Sequence, residues 1–317
     1  MGQKHKIAII GATGLVGSTM LDILSTRLPE AEIELYASQK SAGKVIEKNN
    51  KKYVVKLLSL DNLPKNCEYA MMSAGSEVSG RFAPLFSKHG IITIDNSSRW
   101  RKDTTVPLIV PEVNATALKQ HSNIISNPNC STIQCVVALN RLQKSFGIKR
   151  IVYNTYQAVS GAGQHALERL KNHTQYYDDT IPHIDEFCED GYTKEEHKMI
   201  FETQKIFSKT IPITATTVRV PVTYGHSVSI NVELHQKTNL NEIKQILQSD
   251  YNIKFIDGHE YPTAKLAKGT DQVYVGRLRQ DYSKDNTYNL WVVADNIRKG
   301  AATNAVQILE KLISMQD

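Results

Sequence analysis

KIAIIGATGLVGSTMLDILSTR, Lys6 to Arg27, settles more of the architecture than any other part of the chain. After Lys6 the run IAII has no polar alternation, the pattern of a strand buried on both faces. Gly11, Gly14 and Gly17 follow, and Met20, Leu21, Ile23 and Leu24 then line one side of a helix. A strand, a glycine-rich turn and a helix in that order aim backbone N–H groups and a helix N-terminus at one point, where a pyrophosphate is held. The spacing is Gly-x-x-Gly-x-x-Gly rather than Gly-x-Gly-x-x-Gly. The competing reading is a tight turn that binds nothing, but the strand–turn–helix context favours a dinucleotide.

The first half of the chain repeats this alternation. Residues 31–38 (AEIELYAS), 53–58 (YVVKLL), 68–75 (EYAMMSAG) and 91–95 (IITID) read as strands, and 80–90 (GRFAPLFSKHG) as a short helix. Repeated strand–helix units predict an α/β, Rossmann-like doubly wound domain with a parallel sheet. From residue 148 the texture changes, and 150–159, 214–222, 226–234, 272–280 and 288–296 are longer and alternating. In 227–234, Ser, Ser, Asn and Glu alternate with Val, Ile, Val and Leu, as in a half-exposed strand. A second, α+β domain with a mixed sheet is expected, followed by a helix over 299–313. The expected division is 1–128 plus 299–317 for the dinucleotide domain and 129–298 for the other.

Composition narrows the function classes. A chain of 317 residues suffices for about two domains, and 41% hydrophobic with 22% charged residues is ordinary for a globular protein. The net charge of +6 is spread out apart from KNNKK (48–52) and RWRK (99–102). A nucleic-acid binder concentrates its charge, whereas an enzyme for anionic metabolites needs only local cations. No apolar run approaches the roughly 18–20 residues of a membrane span. MGQKHKIAII lacks a signal-peptide layout, so a cytoplasmic location is expected. Cys67, Cys130, Cys135 and Cys188 do not make a disulfide framework. No Cys/His spacing resembles a zinc site, so no metal is expected.

The second strand bears on the cofactor. An NAD site places an acid near the end of that strand to bind the ribose 2′-hydroxyl. Here LYASQKSAGK (35–44) has no acid after Glu34 but supplies Ser38, Lys40, Ser41 and Lys44. Hydroxyls and cations suit a 2′-phosphate, so NADP is expected; an exposed basic loop is the competing reading. Cys130, after the turn SNPN (126–129) and at the start of a helical run, stands where a helix N-terminus favours the thiolate. The N–H groups there are also candidate donors to an oxyanion. Cys135, beside Val136 and Val137, reads as core.

GATGLVG, DNSSRWR (95–101), VPLIVPEVN (106–114), SNPNCSTIQ (126–134), YQAVSGAG (156–163), IPHIDEF (181–187), GYTKEEHKMIFETQKI (191–206), VRVPVTYGHS (218–227) and DNIRKGAA (295–302) together resemble aspartate-semialdehyde dehydrogenases, in order and over nearly the whole chain. The resemblance implies NADPH-dependent conversion of L-aspartyl 4-phosphate to L-aspartate 4-semialdehyde through a cysteine acyl-thioester, by a homodimer. It implies Cys130 as nucleophile, Gln157 as the residue orienting the intermediate and His226 as general acid/base. Arg219 would bind the substrate α-carboxylate, Glu202 the α-ammonium, and Lys205 and Arg101 the phosphate. The implied cofactor contacts are Gly11, Thr13, Gly14, Leu15, Val16, Ser73, Gly75, Ser160, Gly161 and Asn296, beside Ser38, Lys40 and Ser41.

Several of these positions also carry a reading of their own. Met199, Glu202 and Ile206 share a helix face, so a carboxylate sits among apolar neighbours and should meet a cation, while TKEEHK (193–198) just upstream reads as surface. Arg219 suits bidentate carboxylate recognition, with a structural salt bridge as rival. His226 alone is more often structural. Arg101 follows a parallel strand at its ligand-binding end, with Arg99 and Lys102 as rivals; Arg99 stands where a small uncharged residue is common in the family. Three other functions compete with this reading. A short-chain-type reductase would need Tyr-x-x-x-Lys, and YPTAK (261–265) fits it only by chance. An N-acetyl-glutamyl-phosphate reductase-type enzyme and a non-catalytic NADP-binding sensor are the remaining alternatives.

Overall fold

The computed structural model describes residues 4–172 and 179–315. The chain divides into two compact units, Met1–Pro128 with Ala301–Asp317, and Asn129–Gly300. The first unit contains β1 (Lys6–Ile10), α1 (Leu15–Arg27), β2 (Glu32–Ala37), β3 (Val45–Lys48), β4 (Lys51–Leu57), β5 (Tyr69–Met72), α2 (Ser76–Lys88), β6 (Ile92–Asp95), α3 (Pro111–Asn114) and β7 (Ile124–Ser126). The second contains α4 (Cys130–Phe146), β8 (Ile148–Gln157), α5 (Gln164–Lys171), α6 (Lys194–Phe207), β9 (Ile213–Arg219), β10 (His226–Leu234), α7 (Leu240–Gln248), β11 (Ile253–Ile256), α8 (Ala264–Ala267), β12 (Val273–Gln280) and β13 (Thr287–Ala294). The chain then returns to the first unit with α9 (Asn304–Ile313).

Among the described residues the first unit has a seven-stranded sheet in the order β3-β4-β2-β1-β5-β6-β7. Every pairing is parallel except β3 with β4. The apolar runs behave as strands covered on both sides. Ile7 and Ile9 face Met20 and Leu24 of α1 and Val306 and Leu309 of α9, while Ala8 and Ile10 face Phe82 and Phe86 of α2. This is the doubly wound arrangement expected. β3 and β7 are additional to the sequence expectation. The lysine-rich KNNKK proves to be the tip of the β3–β4 hairpin, where Asn49 and Asn50 both take positive φ, as Asn tolerates in such a turn.

The second unit has, among the described residues, a six-stranded sheet in the order β11-β12-β13-β10-β8-β9. β11–β12 and β8–β9 are parallel and the rest antiparallel, so the sheet is mixed as expected. Val228, Ile230 and Val232 of β10 are fully buried, whereas Ser229 and Asn231 between them are half-buried. α4 packs against β8, β10, β12 and β13. Helices α5, α7 and α8 and strand β11 are additional to the sequence expectation. α7 begins at a reciprocal Asn239–Glu242 capping box, and α8 contains Lys265 of YPTAK. The helix expected over 299–313 opens instead as a π-helical turn, Arg298–Thr303, before α9.

Candidate active site

Three polar side chains of the second unit reach one edge of its sheet. Gln157 closes β8 in register with Arg219, the last residue of the neighbouring β9. His226 opens the antiparallel β10, next to the Ser227–Tyr156 pair. All three are buried, with relative exposures of 2%, 9% and 0%. The peptide groups of Ala158 orient two of them. Its N–H donates to His226 Nδ1 at 2.9 Å, and its carbonyl oxygen accepts from Arg219 Nη1 at 2.7 Å.

This contact fixes the state of His226. With Nδ1 accepting a backbone N–H, the neutral ring carries its proton on Nε2. Burial, and then the charge of Arg219, push its pKa down to about 3, so the ring is neutral near pH 7. Nε2 is buried without a hydrogen-bond partner among the described residues, the state of a donor aimed at a ligand atom. Gly161 keeps that side open, since a Cβ there would lie 3.3 Å from Nε2, Cε1 and Arg219 Nη1. In this tautomer Nε2–H is a hydrogen-bond donor. Accepting a proton at Nε2 would require Nδ1 to give up its lone-pair contact with Ala158.

Cys130 is the first residue of α4 and half-buried. The preceding Asn129 is anchored at every polar atom of its N-cap. Its Oδ1 accepts from the N–H groups of Ser131 (2.9 Å) and Thr132 (3.4 Å). Its own N–H donates to Glu202 Oε2 at 2.6 Å, and its Nδ2 donates to Glu195 Oε1 at 2.9 Å. The cap therefore occupies two of the helix N–H groups at this helix mouth, those of Ser131 and Thr132. One turn on, Gln134 Nε2 donates to the carbonyl of His226 at 3.2 Å and ties this helix end to the sheet edge. Gly300 forms the floor under Cys130, where an added Cβ would come within 2.8 Å of the Cys130 Cβ. Cys135 is fully buried and burial pushes its thiol pKa up, as suits a core residue.

α6 supplies the remaining charges. Glu202 is fully buried and accepts from the Asn129 N–H at 2.6 Å, so this carboxylate holds the turn before Cys130. Lys205 is half-buried one turn further along. The segment TKEEHK, expected at the surface, is instead packed inward, with Glu195 and Glu196 5% and 7% exposed. Glu196 completes a capping box with Thr193 and accepts from Thr217 N–H at 2.9 Å. Glu195 Oε1 accepts from both Asn129 Nδ2 and Gln157 Nε2 (3.2 Å). Its Oε2 accepts from Lys198 (3.2 Å), which also bonds Asp185. The consecutive acids gave no sign of this, because one faces α4 and β8 and the other β9. Replacing Glu195 by alanine removes an acceptor shared by two buried amides and should lower kcat at least about tenfold, with cofactor affinity unchanged. Glu195→Gln, which keeps an acceptor, should restore part of the loss. Equal kcat in all three proteins would remove Glu195 from the site.

The cofactor candidates divide between the two units. In the first unit a hollow of about 410 Å³ is lined by Gly11, Thr13, Gly14, Ser38, Ser73 and Ala74, among others. Gly11 has φ +79°, and a Cβ there would lie 2.3 Å from the Ser73 carbonyl oxygen; one on Gly17 would lie equally close to the Gly11 carbonyl. Glycine is thus required for the loop to close on the strand ends. Leu15 and Val16 begin α1, and Gly75 takes φ +84° as the N-cap of α2. Thr13 Oγ1 donates to Ser41 Oγ at 3.2 Å, joining the glycine loop to the loop after β2, where Ser38 and Lys40 are exposed. Glu34 is engaged by the Tyr36 hydroxyl and Lys56. In the second unit, Asn296 Nδ2 donates to Ser160 Oγ at 3.0 Å and its Oδ1 accepts from Gly225 N–H at 2.9 Å, so Ser160, Gly161 and Asn296 lie at the same sheet edge as His226.

Arg101, in the first unit, is 7% exposed and donates to the Asn96 carbonyl at 2.6 Å. Its rival Arg99 is exposed, with its guanidinium 5.4 Å from the Trp100 ring centroid.

Known proteins agree with this geometry. A family model described as the semialdehyde dehydrogenase NAD binding domain matches residues 6–121, and one described as the semialdehyde dehydrogenase dimerisation domain matches residues 139–299. An aspartate-semialdehyde dehydrogenase of Aquifex aeolicus is 48% identical over 98% of both chains. The crystal structure of aspartate semialdehyde dehydrogenase II from Vibrio cholerae complexed with ASA superposes with a TM-score of 0.94 at 42% identity, covering 99% of each chain. An aspartate semialdehyde dehydrogenase with NADP from Candida albicans gives a TM-score of 0.80 at 25% identity, covering 98% of each chain. With a glycine-cradled hollow in one unit, a capped cysteine and a buried Gln–Arg–His edge in the other, and relatives matching end to end, the chain belongs to the aspartate-semialdehyde dehydrogenase family.

Proposed function

We propose that this chain reduces L-aspartyl 4-phosphate with NADPH to L-aspartate 4-semialdehyde and phosphate, and that Cys130 carries the aspartyl group between the two half-reactions. The observation that carries the reading is Cys130 at the mouth of α4, held by Asn129 between Glu195 and Glu202 in the unit that also presents the neutral Nε2–H of His226. The Cys130 thiolate attacks the acyl phosphate carbon, a C–S bond forms, and the C–O bond to phosphate breaks. When bound, NADPH supplies the hydride that converts the thioester carbon to the aldehyde level. Collapse then releases the aldehyde and regenerates the thiolate. The His226 Nε2–H donates to the carbonyl oxygen as it gains negative charge in each half-reaction. Gln157, its amide held by Glu195, orients the thioester.

Arg219 takes the α-carboxylate and Glu202 the α-ammonium. Lys205 and Arg101 take the phosphate, for Arg101 on the strength of the motif. The glycine-lined hollow fits a pyrophosphate, which supports 1–128 with 299–317 as the NADP-binding domain. Residues 129–298 form the catalytic domain and, as the matching family model implies, the dimer interface. Among the described residues no helix is long and apolar enough to cross a membrane, in keeping with a cytoplasmic biosynthetic enzyme. No observation favours the reductase or sensor alternatives.

The test is the reverse reaction. Purified protein given aspartate semialdehyde and NADP⁺ should form NADPH only when phosphate is present; turnover indifferent to phosphate would sink the reading. Cofactor choice has its own test. Lys40 is exposed, so solvent screens its attraction for the 2′-phosphate, and Lys40→Ala should weaken NADP use by roughly 5- to 30-fold while NAD use hardly changes. Equal losses for both cofactors in steady-state kinetics would show that this loop does not read the phosphate.

A further inference from the structure

The fold brings together a cysteine, an aspartate and a histidine whose spacing in sequence carries no metal signature. Cys188 Sγ, an Asp190 carboxylate oxygen and a His197 ring nitrogen all lie within 4.8 Å of one another. Asp190 Oδ2 and His197 Nε2 are 3.0 Å apart. The arrangement is built locally. Cys188 and Tyr192 close a tight turn, with Cys188 N–H donating to the Tyr192 carbonyl (2.7 Å) and Gly191 N–H to the Cys188 carbonyl (3.1 Å). Gly191 supplies the left-handed residue, φ +83°, that the turn needs. Tyr192 N–H donates to Asp190 Oδ1 at 3.2 Å, which leaves Oδ2 facing the imidazole in the first turn of α6.

We propose that Cys188, Asp190 and His197 form a zinc-binding site, with water completing a tetrahedron. Thiolate, imidazole and carboxylate are a donor set suited to Zn²⁺ and ill suited to Mg²⁺ or Ca²⁺, which prefer oxygen alone. Zn–N and Zn–O bonds of ~2.0–2.2 Å and a Zn–S bond of ~2.3 Å place tetrahedral ligand atoms about 3.3–3.7 Å apart. The nitrogen–oxygen pair, at 3.0 Å, has to open by a few tenths of an ångström, and a side-chain rotation moving the sulfur by roughly 1 Å completes the set. Binding releases the thiol proton of Cys188 to solvent, and the two anionic ligands balance the metal charge. Cys188 and His197 are half-buried and Asp190 is exposed, so the site opens to solvent and an ion can enter. The metal would staple the 188–192 turn to the helix that carries Glu195 and Glu202. The competing explanation is a metal-free Asp190–His197 ion pair with the thiol as a bystander.

The test is made in full-length Cys130→Ser protein, so that the catalytic thiol cannot take up the metal. After chelator treatment, Zn²⁺ is titrated in competition with a chromophoric chelator, and Co²⁺ is followed by absorbance. One equivalent of Zn²⁺ per chain should bind, and Co²⁺ should produce a thiolate-to-metal charge-transfer band. Adding Cys188→Ser should abolish the band and weaken zinc binding at least about tenfold, and His197→Gln should also weaken it. Circular dichroism of each variant verifies that it is folded. Zinc binding unchanged by Cys188→Ser, or no bound equivalent in the parent, overturns the proposal.

Discussion

Cys130→Ser should abolish turnover, lowering kcat by about 10⁴-fold or more, the scale of losing a covalent nucleophile, while NADP binding survives. A serine hydroxyl in the same place stays protonated near neutral pH and makes a poor nucleophile. Everything that positions the residue would remain: the Asn129 cap, its anchors Glu195 and Glu202, and the Gly300 floor. Cys135→Ser is the control. Cys135 is fully buried one and a half turns further along α4, so its replacement affects packing and not the chemical step. Most activity should remain, with a modest loss of stability. Steady-state rates and cofactor-binding fluorescence of both variants provide the check, and similar activity losses in the two would detach catalysis from the helix mouth.

What could be read from the sequence follows the range of each signal. IAII and the three glycines report purely local physics, burial on both faces and the absence of a Cβ, and Gly11 and Gly17 indeed sit where a Cβ would strike a carbonyl oxygen. The alternation in 226–234 likewise predicted the bounds of β10, although Ser227 and Glu233 on its polar face are buried. β3 and β7 were harder, since a four-residue hairpin arm and a three-residue edge strand carry too little pattern to be distinguished from loop. In the site, Cys130 announced itself by the turn before it, but the use of the helix N–H groups did not. The Asn129 side chain claims two of them, and nothing in SNPN distinguishes a cap that serves the helix from one that leaves donors for a ligand. Glu195 was illegible for a related reason. In TKEEHK the two acids differ only in the direction each faces around α6, and this is set by the packing of α6 against α4 and β9. His226 required the fold most of all, because its tautomer depends on the Ala158 amide, 68 positions away in the chain.

That dependence makes a second variant informative. His226→Asn removes the Nε2–H donor and should lower kcat by about 10²–10³-fold, the usual loss for a donor to a developing oxyanion. The pH profile then separates two roles. A ring acting as general base with an ordinary pKa gives kcat/KM an acid limb near pH 6.5, which vanishes in the variant. The geometry found here predicts otherwise. Burial and the Arg219 charge hold the ring neutral down to about pH 3, so wild type and His226→Asn should share one profile shape at different heights. Stability carries the same signature. In the unfolded chain the imidazole takes up a proton below about pH 6.5, whereas the folded ring stays neutral to about 3. The unfolded state therefore binds more protons between these limits, and stability falls as pH falls through this window. Wild type should lose about 2 kcal/mol more than His226→Asn between pH 6.5 and 4.5, a difference that denaturant midpoints at the two pH values can resolve. An acid limb near 6.5 in wild type that the variant lacks, or equal acid sensitivity of the two proteins, would mean that the ring titrates normally and that Nδ1 releases the Ala158 N–H in solution.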